Sequence, residues 1–203
     1  MERLFPMYIK LAGREVLVVG AGAVGGSKIG SLLETGARIH VIALQASERV
    51  RSWAEAGDIR LEERRFRPAD LKGAFLVIAA TSSRRLNELI FRGAQRRRIL
   101  CNVVDVPELC DFFYPAVLRR GDLQIAISTA GQSPLLSQRI RQDLEKQFAP
   151  GYAAWLAQLG KMRRQVLSSD LPAERKRDLL KWLIGREEFG ANQAISVVEG
   201  EHS

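Results

Sequence analysis

The 203-residue chain is predicted to be an α/β protein: a doubly wound parallel sheet, then a small hairpin-and-helix region, then a helical domain. Three observations predict it. Apolar β-rich runs alternate with helix-length segments through the first half, which calls for parallel β-α-β crossovers. One such run leads directly into a glycine-rich turn and a helix. After Pro107 the pattern changes to a hairpin followed by helices with apolar residues at helical spacing.

In chain order, Glu15 to Val19 (EVLVV) reads as a buried strand, and Ala23 to Glu34 as a helix ended by Gly36. Arg38 to Ala43 is the second strand, followed by a helix over Ser47 to Ala56 that stops at Gly57. Ile59 to Glu63 is a short strand and Phe75 to Ala80 a buried one. A helix over Arg85 to Arg97 precedes the last strand of the series, Ile99 to Val104. Phe113 to Arg119 and Leu123 to Ser128 meet at Arg120-Gly121-Asp122 as a hairpin. Pro134 suits a first helical turn, and Leu136, Ile140, Leu144 and Phe148 then recur every four residues. Pro150-Gly151 ends that helix. Tyr152 to Leu167 is the next, and Pro172 opens a further one to Ile184. The expected division is a sheet domain over 1–112, a dimerisation region over 113–150 and a helical domain over 151–186. The tail 187–203 is expected to fray, with a possible short strand at Ala194 to Val198.

Composition narrows the function classes. Apolar residues make up 46% and charged residues 27%, so a packed core rather than disorder is expected. Cys101 and Cys110 fit no metal spacing and are too few for a disulfide framework. No apolar run is long enough to span a bilayer, and the start of the chain is a poor secretory signal. A soluble protein of the cytoplasm, without membrane contact, is the expectation. The net charge of +8 is uneven: residues 1–112 carry +5, residues 113–186 carry +7, the tail 187–203 carries only four acids, and most of the basic residues are arginine. Arginine's planar fork suits carboxylates and phosphates, so a small polyanion fits, as does a plain solvated surface. The basic pairs are dispersed without interleaved aromatics, which argues against nucleic acid.

Two loops are suited to anions. Gly20-Ala21-Gly22-Ala23-Val24-Gly25 is a complete G-x-G-x-x-G between a strand and a helix, the context of a Rossmann-type dinucleotide fingerprint. Free N–H groups at that helix start would face phosphates. The second strand ends Ile42-Ala43-Leu44-Gln45, without the acid that usually grips an adenine ribose. Gln45 or the Leu44 backbone can take that hydrogen bond, or Arg49 and Arg51 can meet a 2′-phosphate, so NAD and NADP both remain open. The second loop, Ser128-Thr129-Ala130-Gly131-Gln132-Ser133-Pro134, joins a strand to a helix and can hold a carboxylate. Plain capping by Ser133 explains it equally well.

Asp105 ends the last strand of the parallel series, where strand carboxyl ends line the ligand crevice. There it can serve as a general base or simply as a turn residue before Pro107. The only histidines are His40, inside a strand, and His202, in the tail. Proton transfer is therefore left to carboxylate, hydroxyl or water, and no metal site is expected.

Taken together, the motifs carry a resemblance. Val18 to Val24, Ala79-Ala80-Thr81 with Asn87, Cys101-Asn102-Val103-Val104-Asp105-Val106-Pro107 through Cys110-Asp111-Phe112, and Ile127 to Pro134 occur in this order. The series resembles the precorrin-2 dehydrogenase/sirohydrochlorin ferrochelatase family, the first module of siroheme synthase, over roughly residues 5–185. That resemblance implies a homodimer and NAD-dependent oxidation of precorrin-2 to sirohydrochlorin, with Fe²⁺ insertion in some members. It implies Asp105 as the catalytic carboxylate, and Gly20, Gly22, Ala23, Val24, Gly25, Leu44, Gln45 and Thr81 around the dinucleotide. It places Ser128, Thr129, Gly131 and Ser133 at the tetrapyrrole, with Arg119 and Arg120 as further cations for its carboxylates. Departures are small: Ala21 and Ala130 stand where glycine is common, and Gly25-Gly26-Ser27-Lys28 replaces the usual helix start. No methyltransferase segment follows, so a stand-alone module is expected. An NAD(H)-sensing regulatory subunit is the alternative, and a redox-responsive DNA-binding protein a third reading.

Overall fold

The computed structural model describes residues 3–184, so the expected tail and its strand at Ala194 to Val198 lie outside the described residues. The chain forms two compact units, Phe5–Phe113 and Tyr114 onward, the latter together with the residues before Phe5.

In the first unit the strands are β1 (Glu15–Ala21), β2 (Arg38–Ala46), β3 (Arg60–Glu63), β4 (Leu76–Ala79) and β5 (Leu100–Val103). They form one parallel sheet in the order β3-β2-β1-β4-β5. The helices are α1 (Ala23–Leu33), α2 (Glu48–Glu55) and α3 (Arg84–Arg97). Val16 to Val19 and Leu76 to Ala79 are buried throughout, as strands covered on both faces must be. That double burial explains why these segments are unbroken apolar runs rather than alternating ones.

Most expected elements are found, with shifted ends that have local causes. The second strand runs three residues further than expected, to Ala46. Its register with β1 slips between Val19 and Ala21, where the chain turns at Gly20. The last parallel strand starts at Leu100 rather than Ile99, because Arg98 takes a left-handed φ of 56° and closes α3. The Ile99 N–H then bonds back to the Ala94 carbonyl at 3.0 Å, which keeps Ile99 out of the sheet.

Edge strand β3 is held by ions. His40 Nε2 lies 2.9 Å from Glu62 Oε1, and Arg64 reaches both Glu62 and Asp70. Asp70 in turn accepts the Arg67 N–H at 2.6 Å and caps a short 3₁₀ turn, Pro68–Leu71. Burial alone would raise the Asp70 carboxyl above its usual range, but Arg64 and the Arg67 N–H outweigh it and the net shift is downward. This network fixes the path of the chain as it leaves β3.

The second unit holds the antiparallel hairpin β6 (Ala116–Arg120) and β7 (Leu123–Ile127). Helices α4 (Pro134–Gln147), α5 (Tyr152–Ser168) and α6 (Ala173–Ile184) follow. Helix α4 packs on β6 and α5 on β7. Arg120 ties hairpin to helix: its Nε donates to the Phe148 carbonyl at 2.7 Å and Nη2 to the Glu145 carbonyl at 3.4 Å. The apolar stripe of α4 is only partly used within the chain. Leu136 is 50% and Ile140 36% exposed, while Leu144 and Phe148 are half-buried. Leu118 is fully buried and Leu183 nearly so, the buried large apolar residues among those described in this unit.

Candidate active site

The site lies at the carboxyl ends of β1, β4 and β5, where the sheet's strand order reverses between β1 and β4. Crossovers leaving in opposite directions there open a crevice, the place where doubly wound sheets take ligands. A cavity of about 810 Å³ occupies it.

One wall is the glycine turn. Gly20 has φ 105°, which favours glycine, and a Cβ on it would overlap the Ala80 carbonyl. A Cβ on Gly25 would overlap the Gly20 carbonyl, so α1 can lie this close to β1 only without one. Gly22 differs: a Cβ there would meet nothing, because the residue faces open space in the cleft. Gly22 also caps α1 without any side-chain hydrogen bond, so no side chain occupies the donors of the first turn. Open space over uncapped N–H groups is what a pyrophosphate needs, and these residues fit a dinucleotide.

The end of the cleft beside β2 is formed by Leu44 and Gln45, both exposed, with Arg65 and Phe66. Arg49 and Arg51, considered above for a 2′-phosphate, do not line the cleft. Arg51 is paired with Glu63 at 2.8 Å, and the Arg49 guanidinium lies over the Trp53 ring, 4.8 Å from its centre. Glu63 also accepts the Ala46 N–H at 3.0 Å, which holds the pair against the end of β2.

Thr81, from the turn after β4, lines the cleft and is locked by Asn87. The Thr81 hydroxyl donates to Asn87 Oδ1 at 2.6 Å, and Asn87 Nδ2 donates to the Thr81 carbonyl at 3.0 Å. Asn87 is buried with its hydrogen bonds satisfied, which explains why an amide sits inside α3.

Asp105 stands at the exit of β5 with φ 61°, a left-handed conformation rare outside glycine. It is exposed to the cleft, and its carboxylate has no hydrogen-bond partner among the described residues. Lys28 on α1 brings a positive charge within reach. Burial pulls the Lys28 ammonium below the ordinary lysine range, against the opposing pull of Asp105 and Cys110.

Nine residues singled out from the sequence thus line one cleft: Gly20, Gly22, Ala23, Val24, Gly25, Leu44, Gln45, Thr81 and Asp105. Arg65, Phe66 and Lys28 were missed. The Arg64-Arg65 pair is visible in the sequence, but nothing local says that the exit from β3 reaches the cleft.

The other six candidates belong to the second unit. In the loop before α4, Ser133 Oγ accepts the Leu136 N–H at 3.2 Å and so caps the helix. The Thr129 hydroxyl donates to the Ser133 carbonyl at 3.0 Å, and Ser128 Oγ accepts the Ala130 N–H at 3.1 Å. Ala130 and Gly131 both take positive φ, 49° and 79°. Arg119 is exposed, while Arg120 is committed to the carbonyls at the end of α4.

Comparison with known proteins bears on this geometry. The family described as "Putative NAD(P)-binding" matches residues 7–116, and "Sirohaem biosynthesis protein central" matches 120–147. The chain is 40% identical over 162 residues to siroheme synthase 1 of Aeromonas hydrophila, covering 79% of this chain and 35% of that protein. Siroheme synthase of Methylococcus capsulatus is 38% identical over 172 residues, covering 85% of this chain and 36% of that one. The chain thus spans about a third of the length of these curated relatives. Among solved structures, SirC, a precorrin-2 dehydrogenase, superposes with a TM-score of 0.77 at 30% identity over 89% of both chains. Among the described residues no helix is long and apolar enough to cross a membrane. A cleft that fits a nicotinamide dinucleotide, in a fold that matches SirC over 89% of both chains, leads to one assignment: the chain belongs to the precorrin-2 dehydrogenase family of sirohaem biosynthesis.

Proposed function

We propose that this chain oxidises precorrin-2 to sirohydrochlorin with NAD as the hydride acceptor. The observation that carries the reading is Asp105, a carboxylate on the wall of the cleft with no hydrogen-bond partner among the described residues.

The reaction removes a hydride and a proton from the macrocycle. Bound NAD⁺ supplies the acceptor for the hydride. Asp105, or a water it orients, takes the proton, a task for which its solvent-facing carboxylate is available. The uncapped start of α1 and the open face of Gly22 would hold the pyrophosphate, and Leu44 and Gln45 would bound the adenosine. Arg49 is committed to Trp53 and Arg51 to Glu63, which leaves Arg65 as the arginine lining this end of the cleft.

Contacts to the substrate's carboxylates are assigned to Arg119 and to Ser128, Thr129, Gly131 and Ser133. Within that group Thr129 shapes the loop through its own hydrogen bond, and Arg120 braces the hairpin on α4. A homodimer is part of the same proposal. Its support is the second unit's sparse core, with Leu135, Leu136 and Ile140 of α4 left exposed by this chain. Residues 113–150 are assigned the dimer contact and 151–186 the helical domain. Light scattering should give twice the 22.7 kDa chain mass.

The test is spectroscopic: precorrin-2 with NAD, then sirohydrochlorin with Fe²⁺ and no NAD, each followed separately. The first arm should show sirohydrochlorin forming with NADH. Asp105→Asn should abolish that turnover and leave NAD affinity within about twofold, since the mutated group receives a proton rather than binding the coenzyme. NAD(H) binding without any turnover of precorrin-2 would favour the sensor reading instead. The second arm decides iron insertion on its own.

A further inference from the structure

The segment after β5 doubles back along it. Asn102 and Cys110 form an antiparallel bridge, the Asp111 N–H bonds to the Cys101 carbonyl at 2.7 Å, and the Cys101 N–H bonds to Asp111 Oδ2 at 2.9 Å. Asn102 Nδ2 reaches the Phe112 carbonyl at 2.8 Å. Near the tip of this reversal sits Asp105, in its left-handed conformation.

The Cys110 thiol lies under that tip. Its sulfur is 3.1 Å from the Val103 carbonyl and 3.3 Å from the Val106 carbonyl, the two that bracket Val104 and Asp105. It also accepts Asn102 Nδ2 at 3.4 Å. A thiol has one proton, so the two carbonyls share it. Both carbonyls keep a backbone donor as well, Val106 N–H at 3.2 Å and Leu109 N–H at 3.0 Å. The thiol is thus an addition to the turn rather than its sole support. A non-glycine residue persists at positive φ only where its surroundings over-determine the turn, and such residues gather at functional sites.

We propose that Cys110 is a positioning residue for Asp105, its thiol proton fastening the flanking carbonyls so that the carboxylate faces the cleft. The proposal rests on the reading of Asp105 as proton acceptor and adds the group that aims it. Burial keeps the thiol protonated, consistent with a donor and not a nucleophile.

The full-length chain with Cys110→Ser, which keeps a donor, is to be compared with Cys110→Val, which keeps the bulk and loses the donor. Cys110→Val is expected to lose about tenfold in kcat, with KM for precorrin-2 and NAD affinity within about twofold of wild type. Cys110→Ser is expected to stay within about threefold in kcat. A space-filling cysteine gives the reverse order, and that result, equal activity in both variants, or a loss confined to KM overturns the proposal. A folding cycle needs no turnover. Cys110→Val should lower the folding equilibrium constant less in an Asp105→Gly background, because glycine adopts the left-handed conformation unaided. Effects that simply multiply would also overturn the role. A wild type that does not oxidise precorrin-2 refutes the proposed function, while the cycle still decides the role of Cys110.

Discussion

Thr81 and Asn87 hold each other through two hydrogen bonds, one in each direction, across the turn that leads from β4 into α3. The pair turns a buried amide into the fastening of one cleft wall. Asn87→Ala should cost about 2 kcal/mol, since the Thr81 carbonyl and hydroxyl lose their shared partner at a half-buried position. Chemical denaturation would measure it. NAD affinity should fall along with stability, because Thr81 itself lines the cleft.

Gly22 and Gly25 should separate binding from folding. Gly25→Ala drives a Cβ into the Gly20 carbonyl and should destabilise the protein by about 2 kcal/mol or more. A Gly22→Ala methyl meets no protein atom, so stability should change by no more than about 1 kcal/mol. That methyl occupies the space proposed for the pyrophosphate, and NAD should bind at least about tenfold more weakly. Calorimetric titration of both variants beside their unfolding curves checks the contrast.

Arg98, Asp105 and Ala130 share positive φ without being glycine. Arg98→Gly and Ala130→Gly should each stabilise the fold, by about 0.5–1 kcal/mol, as left-handed strain outweighs the added freedom of the unfolded chain. Denaturant midpoints that shift downward in either variant would contradict this. Neither change touches the dinucleotide cleft, so NAD affinity should be unaltered in both.

The two thiols make a pH prediction. Burial pushes the Cys101 thiol up to about 12, with Asp111 and Cys110 adding to the shift, and Cys110 is raised mainly by burial as well. An unfolded cysteine ionises near about 8.5. Stability contributed by the raised values is therefore fully present below that point and is lost as pH climbs from there toward 12. Unfolding free energy should decline in this window, with a shallower slope in Cys101→Ala. At neutral pH alkylation of the folded protein should be slow and should accelerate on unfolding.

Several features of this protein could be read from order and spacing alone. The parallel sheet was legible because strands buried on both faces must be continuous apolar runs, as in Val16 to Val19 and Leu76 to Ala79. The glycine turn was legible because the steric demands on Gly20 and Gly25 fall within six consecutive residues. Asp105 was legible as a cleft residue because its position at the end of a parallel strand dictates where it emerges.

What lay beyond the sequence were partnerships between side chains from different elements. Arg49 and Arg51 looked equally able to meet a phosphate, and only the approach of Trp53 and Glu63 committed them elsewhere. Ser133 was legible as a helix cap, and the fold supplies the Leu136 N–H that it accepts. Arg65, Lys28 and Cys110 were visible in the sequence but not as cleft residues, since their relation to the cleft depends on how β3, α1 and the segment after β5 converge. Local periodicity and steric need are written in neighbouring residues; the pairing of charges and hydrogen bonds is settled only when crossovers bring distant ones together.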